Sequence, residues 1–380
     1  MIPQLEPLVA VLGLPWVLKR RNSNIKLLLA CIYSDILRVY APEQPYPDDK
    51  TLRHIFQVII NALDGVQHPD EENYHYHFRV LESLCTVQSY IVMNDLEDDA
   101  LLLSLTKTLF KVTTSSTSKS ASQHITDILC GLIGDLESVP EPFLQFILQR
   151  LIEPFRTRNP TGYDLAATVV RRCGVEDLQT AITEYIYSTI TNFEGLYLTD
   201  TPSNDDKKEQ EDPVTDSVTT TTSTTAAEVA ERKKALKRAQ KEVDEAQRVY
   251  KQRLCIITEL ASISVDFVEP QVLKLEECLQ NERLEIRTLF VDMFASLFTQ
   301  SCPQLSSTGS WQGIFRVFLK RFDDVSPEIR LFMAQLIGPL FQQQLPFKKE
   351  IQEFCMKRVE DLEEEIRATV IQQVCSLRKL

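Results

Sequence analysis

The triplet Glu-Ile-Arg occurs three times towards the end of this chain, at Glu285-Ile286-Arg287, Glu328-Ile329-Arg330 and Glu365-Ile366-Arg367, with intervals of 43 and 37 residues. Each follows an acidic or polar turn (LQNERL, RFDDVSP, VEDLEE) and precedes an apolar run of helical spacing (LFVDMFASLF, LFMAQLIGPLF, ATVIQQVCSL). Carboxylates at the start of a helix meet its positive end, the isoleucine is placed to enter a core, and the arginine can reach acidic residues of a neighbouring turn.

Repeats of about 40 residues with two helices per unit are the signature of HEAT and armadillo arrays. One such unit cannot bury its own apolar face, so units stack. The expected fold is therefore all-α, a HEAT-repeat α-solenoid. The last residues, VIQQVCSLRKL, keep an apolar stripe without a polar cap, which predicts that the array continues beyond them.

The first half repeats the pattern without the triplet. Ile25, Leu28, Leu29, Ile32, Ile36 and Val39 form one apolar stripe, and Leu52, Ile55, Phe56, Ile59 and Leu63 the next; each predicts a helix with one buried face. The series continues through Leu102 to Val112, Ile125 to Leu136, Phe143 to Leu151 and Leu178 to Ile186. Residues 1–198 thus read as N-terminal repeats. Residues 199–227, DTPSNDDKKEQEDPVTDSVTTTTSTT and its flanks, are too polar to order themselves and read as a disordered insertion. Residues 228–253 read as a polar charged helix, and 254–380 as further HEAT repeats.

Composition narrows the function. Only ten glycines in 380 residues disfavour Rossmann, P-loop and barrel enzymes, which need glycine at phosphate loops and tight turns. A net charge of −13 argues against a surface built to neutralise phosphates, so direct DNA binding is not expected. Nine scattered cysteines without a CxxC pair read as reduced, buried thiols of an intracellular protein. The N-terminal MIPQLEPLVAVLGLPWVLKRR is broken by three prolines and does not read as a signal peptide, and no run of roughly 18 apolar residues predicts a membrane span.

Catalytic and metal signals are weak. His75 and His77 flank Tyr76, but no cysteine or carboxylate stands at zinc-site spacing from them. The five histidines lack a nucleophile elbow, and Glu97-Asp98-Asp99 reads as a helix start. No catalytic residue, metal ligand or cofactor is assigned, and the chain reads as a non-enzyme. The basic clusters Lys19-Arg20-Arg21 and Arg232 to Arg238 read as solvated faces, the second interleaved with Glu228, Glu231, Glu242 and Glu245.

The unusual segment is Tyr40-Ala41-Pro42-Glu43-Gln44-Pro45-Tyr46-Pro47, where three prolines and two tyrosines join two apolar helices. It is a rigid connector, because proline stops the first helix and holds the chain extended. Equally, it is a preorganised loop bearing exposed aromatics, which docks a short peptide at low entropic cost.

The stretch IKLLLACIYSDILRVYAPEQPYPDDKTLRHIFQVI resembles the signature region of the precocious-dissociation-of-sisters family, in which Asp-Ile-x-Arg precedes an Ala-Pro-x-x-Pro-Tyr loop. Asp35-Ile36-Leu37-Arg38 and Ala41, Pro42, Glu43, Gln44, Pro45 and Tyr46 supply those positions, with Glu43-Gln44 where the family often has Asp-Ala. FRVLESLCTVQSYIVMNDLED, YDLAATVVRR and FLKRFDDVSPEIR extend the resemblance over the chain except 199 to about 253. It implies a nuclear, chromatin-associated HEAT-repeat subunit that joins the cohesin complex through its kleisin and takes part in keeping and releasing sister-chromatid cohesion. It further implies that Ala41 to Tyr46 docks short motifs of the release factor Wapl and of its competitors, while the main kleisin surface lies farther along the solenoid. Animal members are associated with an inositol polyphosphate, whose ligands are not assigned here. The alternative is an unrelated HEAT adaptor, such as a nuclear-transport or trafficking cargo binder, in which Pro45 and Tyr46 would not matter.

Overall fold

The computed structural model describes residues 2–198, 226–301, 304 and 309–377. Most of the insertion read at 199–227 lies outside them. Among the described residues the regular structure is helical throughout.

One compact unit comprises residues 1–184 with 259–267. Its helices are α1 (Ile2–Leu12), α2 (Pro15–Leu18), α3 (Ser23–Tyr40), α4 (Asp49–Leu63), α5 (Tyr74–Val87), α6 (Ile91–Asp95), α7 (Asp99–Val112), α8 (Lys119–Asp135), α9 (Glu141–Leu148), α10 (Phe155–Arg158) and the start of α11 (Pro160–Leu198). Their starting points are written locally. Asn22, Asp48, Asp98 and Ser118 each accept from the backbone N–H three residues on, satisfying a donor that the helix itself cannot, and α11 opens on Pro160, where a missing N–H costs nothing.

Helices α3 and α4 pack on each other, and two rows run on from them, α3 on α5 on α8 and α4 on α7 on α9. Leu52, Ile55, Phe56, Ile59 and Leu63 are all buried, as are Ile125, Ile128, Leu129 and Leu132. The stripe expected on α3 is different. Ile25, Leu28, Ile32 and Val39 are exposed, and the helix buries Leu27, Ala30, Cys31, Tyr33, Ser34 and Leu37 beside Leu29 and Ile36. IKLLLACI is apolar nearly all round, so its periodicity could not say which face the neighbours would cover.

The second unit comprises residues 185–258 and 268–380. It holds most of α12 (Ala226–Ile263), then α13 (Val272–Leu279), α14 (Leu284–Ser296), α15 (Trp311–Leu319), α16 (Pro327–Gln335), α17 (Ile337–Gln343), α18 (Lys348–Arg358) and α19 (Glu364–Leu377). The polar stretch 228–253 and the apolar run after it lie on the one helix α12. Helices α14, α16 and α19 carry the three triplets in their first turns. Ile286, Ile329 and Ile366 are buried, each contributing on the order of 2 kcal/mol. Phe298 completes the core, with its ring centroid 4.9 Å from Phe315 and 5.6 Å from Phe294.

The arginines form a ladder. Arg287 Nε and Nη2 donate to the carboxylate of Asp324 at 3.2 and 3.1 Å, and Arg330 repeats the fork on Asp361 at 2.9 and 3.1 Å. The same guanidinium clamps its own turn: Arg330 Nη1 donates to the carbonyls of Asp324 and Val325, and Arg367 Nη1 to those of Asp361 and Leu362. One side chain therefore fixes both the turn before its helix and the next repeat. The aspartate side chains are 1% exposed, so each fork is a buried, planar, bidentate pair.

Candidate peptide-docking site

Helix α3 ends at Tyr40 because Ala41 is extended and Pro42 has no N–H to give. Ala41–Pro42 is a cis peptide, and Glu43 N donates to Tyr40 O at 2.8 Å, closing the turn. The chain then reaches Asp48, whose carboxylate accepts from Thr51 N at 3.0 Å and Thr51 Oγ1 at 2.8 Å. These bonds start α4 and hold the Asp48 carboxyl below its ordinary range.

Tyr46 is 5% exposed, which corrects the expectation of a loop displaying its aromatics. Its ring lies against the turn that ends α1, where a Cβ on Gly13 would stand 3.3 Å from Tyr46 Cε1. Tyr33, fully buried on α3, donates its hydroxyl to Leu12 O at 2.9 Å and ties α3 to the end of α1. Burial pushes the Tyr33 phenol up to about 12. The Tyr46 phenol is raised too, first by burial and then by Tyr33 and Tyr40. The Tyr40 and Tyr46 hydroxyls are buried and meet no hydrogen-bond partner, a condition that costs roughly 1–3 kcal/mol per group.

Between α1 and this loop runs an open groove of about 530 Å³. Glu43, Gln44, Pro45 and Tyr46 line it; Ala41 and Pro42 belong to the turn and stand exposed outside the lining. The opposite wall, Glu6, Val9, Ala10, Gly13 and Leu14, comes from α1 and the turn after it, and no signal in the loop announces these residues thirty positions upstream. Glu6, Glu43 and Asp48 are the charged residues of the lining, all acidic, so the groove favours a cationic occupant.

The other signals resolve more simply. His75 Nδ1 and His77 Nδ1 pair with the carbonyls of Glu72 and Ala62. Arg20 lies over the exposed Trp16 ring at 5.1 Å from its centroid. In the cluster Arg232 to Arg238, Arg238 is exposed.

Stacked helix pairs, repeated arginine clamps and a groove beside one inter-helix loop define a helical-repeat protein of the HEAT type. The model of the family described as Sister chromatid cohesion protein PDS5 matches residues 2–380, and the chain belongs to the PDS5 family. It is 27% identical over 363 residues to the zebrafish (Danio rerio) sister chromatid cohesion protein PDS5 homolog A, covering 95% of this chain and 24% of that protein. It is 26% identical over 377 residues to the human (Homo sapiens) homolog A, covering 99% of this chain and 24% of that protein. A chain from the solved Pds5–Scc1 complex, described with its implications for cohesin function, superposes with a TM-score of 0.68 at 19% identity, over 97% of this chain and 50% of that one. That likeness shows the solenoid fold. The chain spans about a quarter of the length of these curated relatives. Family membership sets aside the reading as an unrelated adaptor.

Proposed function

We propose that this chain is a non-enzymatic cohesin-regulating scaffold that acts on chromatin in the nucleus, associates with the kleisin, and docks short motifs of Wapl and competing protection factors. The groove carries the reading. Its floor is a preorganised Tyr-Pro loop, and its carboxylates suit a basic side chain. The PDS5 membership and the solved neighbour's Scc1 partner support the cohesin setting. No helix among the described residues is long and apolar enough to cross a membrane.

Docking is competition for one site, so a release motif and a protection motif exclude each other without any change in the solenoid. Fluorescence anisotropy with labelled Wapl peptides tests this. Glu43→Lys with Gln44→Ala, both exposed and external to the core, should weaken binding by about tenfold, or about 1.4 kcal/mol, with helicity unchanged by circular dichroism. Equal affinity for both proteins would move the docking site elsewhere.

A further inference from the structure

Cys85 on α5 and His124 and Asp127 on α8 each bring one ligand atom to a common point, all within 4.8 Å of one another. The topology makes the cluster: α5 and α8 pack side by side, and His124 and Asp127, three residues apart, share the face of α8 that looks at α5. We propose that Cys85, His124 and Asp127 form a zinc-class divalent metal site that staples these two helices of successive repeats.

The chemistry of the set selects the metal. A thiolate and an imidazole with one carboxylate suit zinc, whereas magnesium and calcium take oxygen ligands. From the usual bond lengths of about 2.0–2.3 Å, donors around a tetrahedral zinc stand roughly 3.3–3.8 Å apart, so side-chain adjustments of about 1 Å close the set. All three residues are half-buried, near enough to the surface for an ion to enter. Three protein ligands leave a fourth position for water.

The surroundings hold the ligands in place. Arg172 donates to Asp127 Oδ1 at 2.7 Å, the kind of outer contact that orients a liganding carboxylate. The His124 ring lies 5.8 Å from that of Phe78. As the metal–sulfur bond forms, the Cys85 thiol proton leaves to solvent.

Cobalt titration of the whole chain is the test, with the exposed Cys255 and Cys375 replaced by serine. One equivalent of Co²⁺ should give a thiolate-to-cobalt charge-transfer band, and zinc should abolish it by displacement. Cys85→Ala should lose the band, and His124→Ala should weaken cobalt affinity by roughly tenfold or more. Circular dichroism checks helicity; should Cys85→Ala lose it, Cys85→Ser gives the same reading with the side-chain volume nearly kept. Absence of a band at saturating cobalt, or a band undiminished in folded Cys85→Ala or Cys85→Ser, would overturn the site.

Discussion

At the scale of single residues, Tyr46 does two jobs that its neighbours in sequence do not share. Its ring packs against the turn that ends α1 and gives the groove its floor, and its hydroxyl is a buried group without a partner. The two roles separate under Tyr46→Phe. Removing an unsatisfied buried hydroxyl while keeping the ring should leave stability unchanged or raise it by up to about 1 kcal/mol, while the affinity for a docked peptide, which meets the ring and not the hydroxyl, stays the same. Thermal melting and anisotropy on the same variant read the two effects. Tyr46→Ala, by contrast, should cost roughly 3–5 kcal/mol through the cavity it leaves, and lost binding would then report lost packing.

At the scale of elements, the arginine ladder sets the geometry of successive repeats. Arg330→Met should destabilise by roughly 2–3 kcal/mol, below the full cost of stranding a buried carboxylate because Arg358 still pairs with Asp361. Arg79→Ala opens an exposed pair with Asp35, 2.6 Å long, and should cost under about 1 kcal/mol. Urea denaturation of the two variants distinguishes a buried fork from a solvated contact. In both cases the carboxylate keeps a second arginine, Arg358 on Asp361 and Arg38 on Asp35; burial and bidentate geometry make the difference.

At the scale of the whole molecule, the ladder predicts where acid acts. Burial pushes the Asp361 carboxyl up, but hydrogen bonds from Arg330, Glu363 N and Arg358, with the charge of Arg330, overcome it and hold the group at about 2 against an ordinary 3.8. A depressed carboxyl stabilises the fold above its unfolded value, and that stabilisation is lost as pH falls from about 4 through about 2. The loss is about 2 kcal/mol, and Asp361→Asn should flatten the stability curve over that window. Thiol chemistry maps the folded state independently. Cys255 and Cys375 are exposed, whereas Cys31, Cys173, Cys278 and Cys355 are buried, and burial holds the Cys355 thiol up at about 11. Native alkylation followed by mass spectrometry should therefore label the first pair quickly and Cys355 only on unfolding.

The triplet repeat was sufficient to read helices, their pairing period, the buried isoleucines and the reach of the arginines, because each follows from spacing along one helix and from charge at its first turn. The Tyr-Pro loop was legible as a special connector for the same reason: proline dictates backbone locally. The burial of Tyr46, the exposed stripe of α3 and the far wall of the groove were not legible. Each depends on which neighbour covers a face, and α3 offers apolar residues on every side. The Cys85, His124 and Asp127 cluster lies further out of reach, since its ligands are about forty residues apart and no spacing rule joins α5 to α8. Sequence by itself determined an all-helical repeat protein with a stiff loop between two of its helices; tertiary structure decided which surfaces meet, because contact between helices is set by the stacking of repeats and not by the period within any one of them.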